Sequence, residues 1–295
     1  MPRAAAEGTA TGVKSRVRRG ALPNALFVGP QKAGTTWAHA YLESRRDVTL
    51  PHLVKETFFF DRRFRRGLGW YARRFRPTDG SRRIVEVAPS YFHAKDAPAR
   101  ARDALGEIPI ISCLRDPAAR AFSLYLHLRR YGKARGDFRA AIRDYPQILD
   151  SSRYATHLAR WFDLFGRTSV LVLFLDDLKK DPQRWGDLIA AHLELDPTVV
   201  GEELHRPVNE GAVAPNAHVA RAAKGAADLA RFLGLYRPIV WAKEHGLKEM
   251  LFGEPGRDPL PRLSDEDRAW FTGLVRAEID ELESMLGVDL SAWKA

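Results

Sequence analysis

The stretch Ala25-Leu-Phe-Val-Gly29-Pro-Gln-Lys32-Ala33-Gly34-Thr35-Thr36-Trp37 decides the fold. Ala25–Gly29 is a short apolar run closed by Gly and Pro, which reads as a buried strand. A helix pattern follows over Thr35–Ser44, with Gly34 or Thr35 at its start. A strand that turns sharply into a helix leaves the first helical N–H groups unpaired, and the helix dipole adds partial positive charge. Such a corner holds phosphate-like anions. Lys32 adds a full charge, and Thr35 and Thr36 add hydroxyl donors. The order of residues excludes one common use of this corner. A nucleotide-triphosphate loop reads G-x-x-x-x-G-K-[ST]. Here Lys32 precedes Gly34 and Thr-Thr follows it, so that pattern fails.

Outward from this corner, apolar runs at 84–88, 108–114 and 170–175 read as further strands. Helical patterns lie at 117–131, 182–193, 217–235 and 264–286. Ser264 reads as an N-cap with Asp267 at the third helical position, and Gly287 as the C-cap. The Gly- and Pro-rich stretch 252–263 reads as a surface loop. Strands alternating with helices predict an α/β fold with a central parallel β-sheet flanked by helices. Ligands of such sheets bind at the C-terminal strand ends. Those ends are Gly29, Ala88 and Arg115, and polar residues gather after each.

The second anion site follows the 108–114 strand as Arg115-Asp-Pro-Ala-Ala-Arg120-Ala-Phe-Ser123. An arginine at a strand end can fork onto a phosphate. Pro117 suits the first turn of a helix, and Ser123 on that helix can add a hydroxyl. Arg120 is read as a brace of the helix rather than a ligand.

These segments resemble the PAPS-dependent sulfotransferases, where PAPS is 3′-phosphoadenosine 5′-phosphosulfate. The first loop resembles their 5′-phosphosulfate motif P-K-[SA]-G-T-T-W, with Gln31 inserted between Pro30 and Lys32 as in the heparan-sulfate and bacterial branches. The second resembles their 3′-phosphate motif R-[DN]-P-x-x-R-[AV]-x-S. Lys55-Glu56-Thr-Phe-Phe-Phe60-Asp61, with Gly67, Trp70 and Tyr71 beyond it, resembles their K-E-x-x-F-F-D…G…W-Y segment. The resemblance runs from about Leu22 to about Leu195, and the remainder is less specific. It implies a P-loop-kinase-like sulfotransferase fold and PAPS as co-substrate, with no metal required. Glu56 would be the general base. Lys32 would stabilise the leaving-group oxygens, and His127 falls where the N-sulfotransferase branch has a functional histidine. Lys32, Ala33, Gly34, Thr35, Thr36, Trp37, Arg115, Ser123 and Tyr154 would bind the co-substrate, Trp37 by stacking on adenine. His52 and His93 are weaker candidates. Glu86-Val-Ala-Pro-Ser-Tyr91 resembles the family's E-K-[ST]-P-x-Y segment, with Val87 in place of lysine. A basic loop closing over the 3′-phosphate is sought in Arg206-Pro-Val-Asn209-Glu-Gly211, or in Arg221 or Lys224. The branch implies a glycan, glycolipid or glycosylated small molecule as acceptor, taking sulfate on a hydroxyl or amine.

Bulk properties agree. The chain has 295 residues and a formal net charge of +10, which suits a polyanionic ligand. No helix-turn-helix, zinc-finger or RNA-binding signature is found, so nucleic acid is not expected as a partner. Cys113, the single cysteine, lies in an apolar run and reads as a small core residue. No apolar run approaches the roughly 20 residues of a membrane span, and the N-terminus lacks a signal-like apolar region. A soluble, cytoplasmic protein is therefore expected, with residues 1–22 a flexible basic tail and 23–295 a single domain. The Ala- and Arg-rich composition is associated with bacterial genomes. A nucleotide kinase, or a non-catalytic binder of sulfated glycans or nucleic acid, is the competing reading.

Overall fold

The computed structural model describes residues 21–205 and 261–295, with Gly225, Ala226 and Ala230 besides. Its strands are β1 (Ala25–Gly29), β2 (Val48–Thr49), β3 (Arg83–Val87), β4 (Ile110–Leu114) and β5 (Val170–Phe174). Helices α1 (Thr35–Ser44), α2 (Leu68–Ala72), α3 (Ala97–Leu105), α4 (Pro117–Arg130) and α5 (Phe138–Asp144) come first. Then come α6 (Gln147–Asp150), α7 (Tyr154–Phe165), α8 (Leu175–Lys180), α9 (Pro182–His192) and α10 (Asp265–Leu286).

The strands form one parallel sheet in the order β2-β3-β1-β4-β5. Successive side chains of a strand point to opposite faces, and here both faces are covered. Ala25 and Phe27 of β1 pack with Val85, Val87, Ile111 and Cys113 against α1 and α9, through Trp37, Tyr41, Trp185 and Ile189. Leu26 and Val28 pack with Ile110 and Leu114 on the other face, where Ala121, Leu158, Trp161, Phe271 and Val275 come from α4, α7 and α10. Burial on both faces explains why β1 and β4 read as unbroken apolar runs.

The anticipated β1 and α1 match the observed elements residue for residue, and the others differ by one or two positions at their ends. The Ser264 hydroxyl accepts from the Asp267 N–H at 3.1 Å, and Gly287 closes α10 in the left-handed conformation. Strand β2 was not anticipated; at two residues it carries no period. The expected helix at 217–235, nearly all of the loop at 252–263, the residues Arg206, Asn209, Gly211, Arg221 and Lys224, and the tail up to residue 20 lie outside the described residues. Among the described residues no helix is long and apolar enough to cross a membrane.

The sheet delivers the ends of β3, β1 and β4 side by side. The chain leaving β3 folds back onto β1, with the Phe92 N–H donating to the Val28 carbonyl at 3.1 Å. This brings Pro89 so near Gly29 that a Cβ on Gly29 would lie 2.6 Å from the Pro89 Cα and 2.7 Å from its carbonyl oxygen. Gly29 also has φ +99°, which an L side chain rarely adopts. Gly29→Ala is therefore expected to destabilise the fold by roughly 2–4 kcal/mol, combining a positive-φ penalty with overpacking against backbone. Chemical denaturation monitored by circular dichroism measures this loss.

Candidate active site at the strand ends

The loop after β1 is held from one side. The Ser112 hydroxyl donates to the Gly29 carbonyl at 2.6 Å, and the Cys113 thiol donates to the Ala33 carbonyl. Arg115 Nη1 donates to the Lys32 carbonyl at 3.3 Å. All three donors come from β4 or the residue after it. With these carbonyls turned toward β4, the N–H groups at the start of α1 have no carbonyl of their own helix to meet. No side chain caps Gly34, and no acidic residue lies in the first turn of α1. Cys113 is thus more than the filler read from sequence, since its buried thiol braces the loop.

Lys32 itself is left-handed, at φ 71°. Its ammonium pKa is lowered to about 8 by burial, and further by the positive charges of Arg115, Arg130 and Lys55. Like charges that depress one another mark a place where an anion is stabilising. Arg115 is half-buried at the end of β4. Asp116 caps α4 by accepting from the Ala119 N–H at 2.6 Å, and receives Arg268 Nη1 at 2.9 Å. Helix α10 is thereby tied to the second loop. Ser123 lies half-buried on α4.

Lys55 joins the third segment to the first: its Nζ donates to Thr36 Oγ1 at 3.1 Å. Glu56 follows immediately. Its Oε2 is enclosed and has no hydrogen-bond partner. Burial raises its pKa to about 7; Lys55 and Arg62 oppose the shift, while Glu86 and Asp61 add to it. The next turn is anchored from β3. Glu86 is fully buried and accepts from the Thr57 N–H at 2.7 Å, the Tyr71 hydroxyl at 2.6 Å and the Tyr91 hydroxyl at 3.0 Å. The rings of Phe59, Phe60, Tyr71 and Phe75 are core. Arg120 is also a brace as expected: it is fully buried and bonds the Ser152 hydroxyl and the Ile148 carbonyl.

The structure thus brings Lys32, Thr36, Lys55 and Arg115 together, with Glu56 next to Lys55 in the chain, and it places two expected ligands in the core. Trp37 is 5% exposed and packs as core, stacked on Tyr41 at 5.4 Å with its Nε1 donating to the Leu204 carbonyl at 2.7 Å. It is not placed as an adenine platform. Tyr154 is 1% exposed and donates its hydroxyl to the Arg115 carbonyl at 2.8 Å, so it holds Arg115 rather than lining a cleft. Ala33 is fully buried, with its carbonyl accepting from Cys113. His127 sits half-buried on α4, one turn before Arg130, with its ring edge-on to Tyr131 at 4.9 Å. His93 is half-buried beside His157, and burial lowers its pKa to about 4. Burial and Arg76 lower that of His52. Among the described residues no group of three or more His, Cys, Asp and Glu side chains could hold a metal ion. Sequence reasoning had no role for Lys55, Arg130 or the hydroxyls of Tyr71 and Tyr91. The only available signal was their nearness to recognised motifs.

A family model described as the sulfotransferase domain matches residues 22–211. The chain belongs to the sulfotransferase family. The mouse bifunctional heparan sulfate N-deacetylase/N-sulfotransferase 4 is 30% identical over 198 residues, covering 60% of this chain and 23% of that protein. Human isoform 3 is 30% identical over 182 residues, covering 55% of this chain and 21% of that protein. The chain therefore spans less than a quarter of the length of these two relatives. A sulfotransferase structure from Alicyclobacillus acidocaldarius shares the fold, with a TM-score of 0.68 at 21% identity over 93% of this chain and 100% of that one. The heparan sulfate N-sulfotransferases and bacterial sulfotransferases form the branch that the motifs resemble.

A lysine with a pKa of about 8 holds an anion only while protonated. Binding of inorganic pyrophosphate, followed by calorimetry, is expected to weaken as pH rises above 8. Lys32→Met is expected to bind more weakly and to lose most of that pH dependence.

Proposed function

We propose that this chain transfers the sulfuryl group of PAPS to a hydroxyl or amine of a glycan, glycolipid or glycosylated small molecule. The observation that carries the reading is the bond from Lys55 to Thr36, which joins the loop to a segment where Glu56 Oε2 is enclosed without a hydrogen-bond partner. The residues fit the donor. Lys32 and the N–H groups around Gly34 suit its 5′-phosphosulfate, and Arg115 with Ser123 suits its 3′-phosphate. Thr35 and Thr36 supply hydroxyls.

In the transfer, Glu56 takes the proton of the acceptor oxygen or nitrogen. That atom bonds sulfur as the bond from sulfur to the bridging phosphate oxygen breaks. Lys32 neutralises the charge left on the departing oxygen, and adenosine 3′,5′-bisphosphate is released. The protein's share is positioning and charge neutralisation, as in phosphoryl transfer. His127, on α4 one turn before Arg130, is assigned to the acceptor side. Exposed arginines at 62, 65, 66, 73 and 76 follow directly on the Glu56 segment. They favour an acceptor that carries negative charge.

Screening amino- and hydroxyl-bearing oligosaccharides with PAPS by mass spectrometry should reveal a gain of one sulfuryl group. Glu56→Gln should lower kcat by about 10²–10⁴-fold while adenosine 3′,5′-bisphosphate still binds. Arg115→Ala should instead weaken that binding, by about 1.5–3 kcal/mol. Retained transfer in Glu56→Gln would overturn its role as base. The pH profile should be bell-shaped. Activity rises as Glu56 loses its proton near 7, and falls as Lys32 loses its own near 8.

A further inference from the structure

Residues 56–59 make a tight turn that local chemistry sets only in part, through the Thr57 hydroxyl accepting from the Phe59 N–H at 3.2 Å. Phe58 sits in the left-handed region, at φ 55° and ψ 35°, although it is not glycine and a bulky residue there is an outlier. Something outside the turn must hold it. The holding groups are all buried. Glu86 Oε1 accepts from the Thr57 N–H at 2.7 Å. Tyr91 takes the Phe59 N–H on its hydroxyl oxygen at 2.8 Å and passes its own proton to Glu86 Oε2 at 3.0 Å. Tyr71 donates to the same oxygen at 2.6 Å, and its ring lies flat on Phe59 with centroids 4.3 Å apart. The backbone on both sides of Phe58 therefore hangs from one carboxylate on β3.

We infer that Glu86 is a positioning residue for the transfer: it clamps the turn at Thr57 directly and at Phe59 through Tyr91, and so fixes where Glu56 points. This rests on the reading of Glu56 as general base. Glu86 is fully buried and meets the reaction only through the turn. Its burial pushes its own carboxyl above the usual range, and the donors from Thr57, Tyr71 and Tyr91 pull it back toward the ionised form. Its charge also adds to the rise of Glu56, alongside Asp61 and against Lys55 and Arg62. A glutamine at 86 keeps the shape but not the function. Its amide N–H groups would face two hydroxyls, and the Tyr91 oxygen is already occupied by the Phe59 N–H.

The test is a carboxyl ¹³C titration of the full chain labelled at glutamate, with the Glu56 signal assigned by its absence in Glu56→Gln. In Glu86→Gln the Glu56 midpoint is expected to move down from about 7 toward the ordinary carboxylate range. Affinity for adenosine 3′,5′-bisphosphate should stay within about twofold, because the β1 loop is held separately by β4. Turnover should fall by about 10- to 100-fold in kcat, since a displacement of about 1 Å can cost on the order of 10²-fold. An unmoved midpoint with wild-type kcat would overturn the inference. If Glu86→Gln does not fold, Tyr91→Phe decides, because it keeps the Glu86 carboxylate and removes the hydroxyl that links it to the Phe59 N–H, with both of that hydroxyl's bonds. Faster amide exchange at Phe59, by about tenfold for one hydrogen bond, with lowered kcat supports the clamp. Wild-type exchange and kcat overturn it. Sulfuryl transfer retained in Glu56→Gln would sink the base reading instead, and the titration separates that failure from this one.

Discussion

The anion site depends on the way β4 grips the loop after β1. Ser112, Cys113 and Arg115 each donate to a carbonyl of that loop, at Gly29, Ala33 and Lys32. A backbone whose carbonyls are taken from one side can present its N–H groups to the other. The grip is available because β1 and β4 are adjacent and parallel, with Gly29 opposite Ser112. The same pairing brings Arg115 to Lys32, so positive charge accumulates at the place the N–H groups face. Tyr154 then holds the Arg115 carbonyl from behind. Sheet order, hydrogen bonding and electrostatics thus converge at one edge.

Burial acts in opposite directions on the two titrating groups of the site. It lowers the Lys32 ammonium to about 8 and raises the Glu56 carboxyl to about 7. Each shift brings the pKa close to neutral pH, and a carboxylate of raised pKa is a stronger proton acceptor while still ionised in part. Environments that draw an acid and a base to workable values by desolvation are a general device of active sites. Lys55 keeps the two halves together by touching Thr36 while standing next to Glu56 in the chain. Its charge tempers the rise of Glu56 and deepens the fall of Lys32.

Strands β1 and β4 were legible because burial on both faces leaves an unbroken apolar run, and α1 because a glycine corner precedes it. The strand-to-helix corner was legible because its Gly, Lys and Thr stand at a fixed spacing in the sequence. Trp37 and Tyr154 were misread for a shared reason. Each lies beside a motif, and nothing in one dimension tells a ring that touches a ligand from one that supports the residue that does. Tyr41, Trp185 and Leu204, the neighbours that claim Trp37, arrive from α1, α9 and the turn at 202–205. The role of Glu86 was hidden similarly, because its partners lie up to 29 residues away.

The two halves of the site differ in how they are built. The proposed donor half stands on strand ends, where side-chain donors from β4 and Arg115 hold the loop after β1. The proposed acceptor half belongs to the segment between β2 and β3, which contains only short helical turns and α2. Such a segment has little regular structure to hold the proposed base in place. A buried carboxylate on β3 supplies that order, since it meets donors from Thr57, Tyr71 and Tyr91 at once. Any acceptor must therefore be read by a surface whose inner side is pinned to the sheet and whose outer side is free to differ. The arginines at 65, 66, 73 and 76 lie on that outer side. Their identities can change without disturbing the Glu86 clamp, so the chemistry of transfer and the choice of acceptor are separable in this fold.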